Sequence, residues 1–225
     1  MGWILDLYRS AVFKKYVMAV TGMMLFGFVL SHMTGNLKAY AGPEEFNHYA
    51  EGLRELGKPI FGHGQFLWVM RTGLLIAVGL HIWSAFALSK HNREARPERY
   101  VRERHQKSTY ASRTMIWGGV IVLLFVVYHL LHLTFGTVHA DFIPGDVYHN
   151  FVVGFQSPVI SGFYILANVA LGFHLYHGLW SMFQSLGWNG SRFNDLRKKF
   201  AVAFALVISV ANISFPIAVL TGAIG

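Results

Sequence analysis

Six histidines fall inside long apolar stretches of this sequence: His32, His81, His129, His132, His174 and His177. An ionisable side chain is costly within hydrocarbon, so each is a functional-site candidate unless it only bonds a neighbouring helix. Six spread over four stretches are harder to assign to that bland role. The chain has no cysteine. It can therefore hold no iron–sulfur cluster and no covalently attached haem. Any metal must rest on His, Met or carboxylates, and the apolar stretches carry no carboxylate. Zinc would want four ligands gathered at one depth. Pairs of neutral imidazoles instead suit the two axial positions of a haem iron, which then moves electrons and has no vacancy for oxygen.

The elements that must position these histidines follow from composition. Hydrophobic residues make up 54% of 225 residues and charged ones 13%, too little charge to cover a soluble domain. A membrane span needs about 20 mostly apolar residues. Five segments qualify, at 16–36, 66–89, 114–136, 158–186 and 200–221. The expectation is an all-α membrane protein, residues 1–225 forming a single transmembrane domain. The first apolar run is too long for a signal-peptide core, so it is expected to remain a span.

Charge gives the orientation. Fifteen Lys and Arg lie before the first span, between the second and third, and between the fourth and fifth; Lys38, Arg54 and Lys58 lie on the other side. The positive-inside rule then makes the N-terminus cytoplasmic and the C-terminus external. The net charge of +8 is accounted for by topology, not by nucleic acid, and the loop 90–113 offers a site for anionic lipid or an acidic partner. In the first outer loop, Phe46, Tyr49, Leu53 and Leu56 recur at helical spacing, predicting an amphipathic helix ended by Gly57 and Pro59. The outer loop 137–157 reads as irregular, with a turn at Pro144-Gly145.

At about 1.5 Å rise per residue, depth can be compared. His32 lies sixteen residues beyond Tyr16 and His129 sixteen beyond Arg113, both on helices running outward. His81 lies sixteen residues after Gln65 and His174 sixteen after Pro158, on helices running inward. Two level pairs result, one nearer each face. His132 and His177 stand three residues from His129 and His174, on the same helical faces, so either member could be the ligand. Glycines on the same helices (Gly22, Gly27, Gly35, Gly73, Gly79, Gly118, Gly119, Gly172, Gly178) allow close helix approach or leave room for a flat macrocycle. The fifth span offers no histidine and is assigned no chemistry.

The stretches VLSHMTGN, VGLHIW, FVVYHLLHLTFG and SPVISGFYILANVALGFHLYHGLWS resemble the single-chain, five-helix, two-haem cytochrome b anchor of succinate dehydrogenases and fumarate reductases. The likeness covers about residues 12–220. It implies a di-haem four-helix bundle plus a fifth helix, in a bacterial cytoplasmic membrane. It also implies haem b ligands at His32 and His129 for the outer haem and at His81 and His174 for the inner one. His132 and His177 are then neighbours or alternative ligands. A flavoprotein subunit with FAD and an iron–sulfur subunit would dock on the cytoplasmic face and deliver electrons. The chain itself would be non-catalytic toward succinate, reducing a quinone, in this family mostly menaquinone, near the outer side. Glu51 and Glu55 are candidates for protonating it, and Lys90, Arg113 and Arg71 for pairing haem propionates. Solvated helix faces and snorkelling explain those five side chains as well. Two other readings stand beside this one: the haem anchor of another quinone-linked dehydrogenase, and a haem-free transporter or scaffold.

Overall fold

The computed structural model describes residues 10–95, 110–188 and 190–225, the side chains of 110–114 excepted. Among the described residues every regular element is helical. Five helices are long and apolar enough to cross a membrane, at Ala11–Ala41, Gln65–Glu94, Met115–Thr134, Pro158–Ser185 and Ser191–Leu220. All five expected spans are present, mostly longer than their apolar cores. Glu94 and Asp195 consequently lie within the spanning helices, at their ends.

In chain order the α-helices are α1 (Ala11–Asn36), α2 (Pro43–Glu55), α3 (Gln65–Glu94), α4 (Tyr110–His129), α5 (Val147–Gln156), α6 (Pro158–Ser185) and α7 (Asn194–Leu220). Their ends follow local chemistry. The Ser10 hydroxyl accepts from Phe13 N–H to start α1, and Ser157 with Pro158 starts α6. The amphipathic helix of the first outer loop is α2. It opens on Pro43 with Glu44 and Glu45 in its first turn, where the helix dipole favours anions. The chain leaves α4 through a π turn at Leu130–Thr134, and Gly136 adopts φ +72, where a side chain would meet the Phe142 ring.

The second outer loop is not irregular throughout. Residues 147–156 form α5, because Asp146 caps an apolar run that has a surface to bury against. Phe151, Val152 and Phe155 are buried with Phe46 of α2, Tyr164 of α6 and Phe215 of α7. Phe151 stacks edge-on against Phe46 at 5.6 Å, and Phe155 against Tyr164 at 4.8 Å, a favoured aromatic geometry. This outer cluster closes one end of the bundle.

Asp146 joins the two outer loops: one carboxylate oxygen accepts from His149 N–H at 3.0 Å and from the Asn47 amide at 2.9 Å. Those bonds, the backbone one first, hold its carboxyl below the usual carboxylate range. A depressed folded-state pKa stabilises above the unfolded value and stops doing so as pH falls through the folded one. Asp146→Ala is therefore expected to cost about 1 kcal/mol at neutral pH and little in acid, read by thermal unfolding in detergent across pH. An equal cost at both pH values would count against this account.

Helix packing is closest between α1 and α3, between α4 and α6, and between α6 and α7. By contrast, α3 packs closely against neither α4 nor α6 among the described residues. The bundle is thus wide between opposed helices. One cytoplasmic-loop charge of the sequence reading proves structural. Arg197 is buried and donates to Trp188 C=O and the Asn194 side chain, pinning the turn before α7.

Candidate functional site

Imidazoles from four helices meet in two pairs. His32 of α1 faces His129 of α4 with ring centroids 5.8 Å apart and planes at 83°. His81 of α3 faces His174 of α6 at 6.3 Å and 63°. Two imidazoles on opposite sides of one metal, each bonded at about 2 Å, have centroids on the order of 6 Å apart. The spacing of both pairs suits that arrangement. His32 retains accessible surface, and His81, His129 and His174 are half-buried.

The inner pair has its outer-shell chemistry in place. Thr21 donates its hydroxyl proton to the Val17 carbonyl at 2.7 Å, so its oxygen is free to accept from His81 Nδ1–H at 3.2 Å. That bond selects the tautomer with a bare Nε2, the form that binds a metal. His174 Nδ1 is buried without a hydrogen-bond partner. A buried polar atom left so is costly unless something else satisfies it. Beside these rings the helices carry glycine: a Cβ on Gly22 would lie 3.4 Å from His81 Cε1, and one on Gly119 3.7 Å from His174 Cε1. Imidazole donors in two facing pairs, with glycine keeping side chains away from the inner rings, fit a metal-bearing cofactor such as haem.

In the outer pair, His32 Nε2 lies 3.5 Å from the Asn36 amide, a long contact that holds the ring weakly. His129 Nδ1 stands 3.4 Å from the Tyr164 hydroxyl. His132, the alternative, is turned elsewhere. It is wholly buried, its Nδ1 lies 3.0 Å from Tyr164 Oη, and its ring stacks between Tyr128 and His139. Its other nitrogen presses toward Gly154, where a Cβ would come within 3.2 Å. That nitrogen is buried against Gly154 without a hydrogen-bond partner, and among the described residues the ring facing His32 is that of His129. At His177, Nδ1 is buried without a partner, and no ring contact joins it to His81.

The remaining candidates lie among ordinary surface contacts. Lys90 faces Glu94 at 3.8 Å, and the Arg71 guanidinium sits 5.0 Å above the Trp68 ring. The Arg113 side chain lies outside the described residues. Glu51 pairs with Arg54 at 2.7 Å, and Glu55 with Lys58 and, at 2.7 Å, His63. The Lys58 ammonium, then His63, hold the Glu55 carboxyl below its usual range. These acids are already neutralised by neighbouring cations. Two contributors escaped the sequence reading, Thr21 and Tyr164. Their signal was faint: a hydroxyl in an apolar span is common, and no spacing rule links position 21 to 81 or 164 to 129.

A family model described as the succinate dehydrogenase/fumarate reductase transmembrane subunit matches residues 89–213. That stretch, more than half the chain, contains His129, His132, His174 and His177, one member of each facing pair. No curated protein and no solved structure matches.

Proposed function

The chain belongs to the succinate dehydrogenase/fumarate reductase transmembrane subunit family, and from that premise we propose that it holds two haem b groups and carries electrons from an iron–sulfur partner to a membrane quinone. As a member it is a multi-pass membrane anchor of such a complex. The observation that carries the finer reading is the two facing imidazole pairs on four helices, with centroids 5.8 and 6.3 Å apart.

Haem b, when bound between such pairs, would supply reversible one-electron transfer. His81 and His174 would hold the inner group, and His32 and His129 the outer. Thr21 orients the His81 ring and keeps Nε2 unprotonated. Positive-inside charge supports a cytoplasmic N-terminus, so that the loops after α3 and α6 would receive the flavoprotein and iron–sulfur subunits. Groups held by His81 with His174 and by His32 with His129 would supply one-electron transfer toward a membrane quinone, menaquinone by family resemblance. Bacterial cytoplasmic membrane is the location this implies.

Expression of the whole complex with haem supplied, followed by a reduced-minus-oxidised spectrum and a pyridine haemochrome assay, tests the reading. Two haem b per chain are expected. A colourless protein would end it. Co-purification of a flavoprotein and an iron–sulfur protein separates this complex from other quinone-linked dehydrogenases.

A further inference from the structure

Tyr164 is 4% exposed, and its hydroxyl stands between two imidazole nitrogens, 3.0 Å from His132 Nδ1 and 3.4 Å from His129 Nδ1. A phenol has one proton to give and can accept in return. If His129 binds iron through Nε2, its Nδ1 carries the proton and faces the Tyr164 oxygen as donor across a long 3.4 Å contact. The phenol proton then has one acceptor left among these partners, His132 Nδ1. Direction follows from ligation: His129 to Tyr164 to His132.

Packing holds His132 in place, with its proton then on Nε2, which is buried without a partner. Its ring lies between Tyr128, 5.5 Å away at 22°, and His139, 5.0 Å away at 25°. A Cβ on Gly154 would come within 2.9 Å of its Cε1, so the ring has no room to swing that way. His139 is itself fixed. Its Nε2–H donates to the Asn150 carbonyl at 2.8 Å, while Nδ1 accepts from Asp141 N–H at 3.0 Å. With a contact at each nitrogen, the His139 ring is held in place. It holds His132, which holds Tyr164.

A hydrogen bond accepted from the distal nitrogen of a ligating histidine raises the ligand's basicity. A more basic ligand favours the oxidised metal. A second acceptor behind the first polarises the chain further. We propose that Tyr164 and His132 form a positioning chain behind His129 that lowers the reduction potential of the outer haem. The proposal rests on the bis-histidine reading above.

The test is a potentiometric titration of the whole purified complex, followed by haem b absorbance and by electron paramagnetic resonance of the oxidised form. In Tyr164→Phe both haems are expected to remain. The outer one should become easier to reduce by about tenfold in its reduced-to-oxidised ratio at fixed potential, about 59 mV for one electron. Its low-spin signal should move and the inner one stay. The outer haem is identified as the one missing from His32→Ala. His132→Gln, which keeps an acceptor but loses the ring geometry, should shift the same haem in the same direction by less, and it decides the matter if Tyr164→Phe does not assemble. Unchanged potentials with both haems present, or a shift confined to the inner haem, would overturn the chain. A colourless parent complex would instead overturn the haem reading itself.

Discussion

Replacing His129 with Ala is expected to lower the haem content from two per chain to one, while His132→Ala leaves both in place. The two residues are three apart on adjoining helical turns, yet their surroundings give them different capacities. His129 is half-buried and faces His32 with centroids 5.8 Å apart. His132 is wholly buried, stacked on both faces and turned toward Gly154. To replace a lost His129 it would have to leave Tyr164, Tyr128 and His139 at once. Several packed contacts would be given up for one metal bond, so rescue from this neighbour is not expected. Removing His32 should have the same outcome as removing His129, and removing His81 or His174 should take the other haem. The measurement is pyridine haemochrome per mole of chain, with a redox titration to identify the surviving centre. Both haems kept in His129→Ala, with one lost in His132→Ala, would reverse the assignment.

The second large effect needs no ligand change. Gly119→Leu should weaken haem retention at the inner site, with affinity falling on the order of tenfold, since overpacking costs about 1–3 kcal/mol and about 1.4 kcal/mol is tenfold. A Cβ at this position would already lie 3.7 Å from His174 Cε1, and the branched end of Leu reaches further. Its neighbour supplies the control. A Cβ on Gly118 meets nothing within 4 Å, so Gly118→Leu adds equal bulk one residue away without crowding the ring. Equal haem loss in both variants would point to general damage to α4. Loss in Gly119→Leu alone would locate the effect at His174.

These contrasts mark how far residue order could be read. Spans were legible because a hydrocarbon slab sets their length, and the apolar cores of all five were in the sequence. Three of the spanning helices extend past the expected ends, as in α3, which continues to Glu94, because a helix already started carries its polar residues beyond the apolar core. In the second outer loop, attention to Pro144-Gly145 hid α5. Asp146 before VYHNFVVGFQ was a usable cap signal, but ten residues make a marginal helix on their own. It stands because Phe46, Tyr164 and Phe215 give its apolar face a surface to bury against. The glycines were equally ambiguous in the string. Nothing in it separates Gly118 from Gly119, whose neighbours differ only through the packing of α4 against α6.

Residue order is enough to settle the solvent, the five crossings, the absence of thiolate ligands and six imidazoles in four apolar helices. These are properties of composition and of a fixed rise per residue. Tertiary structure alone decided which imidazoles face one another, which of two histidines a turn apart keeps an open side, and that Thr21 and Tyr164 stand behind the ligand candidates. Helix rotation and lateral packing set those relations. Both depend on side chains from other helices, brought within a few ångströms by folding although they lie tens of residues apart in the chain.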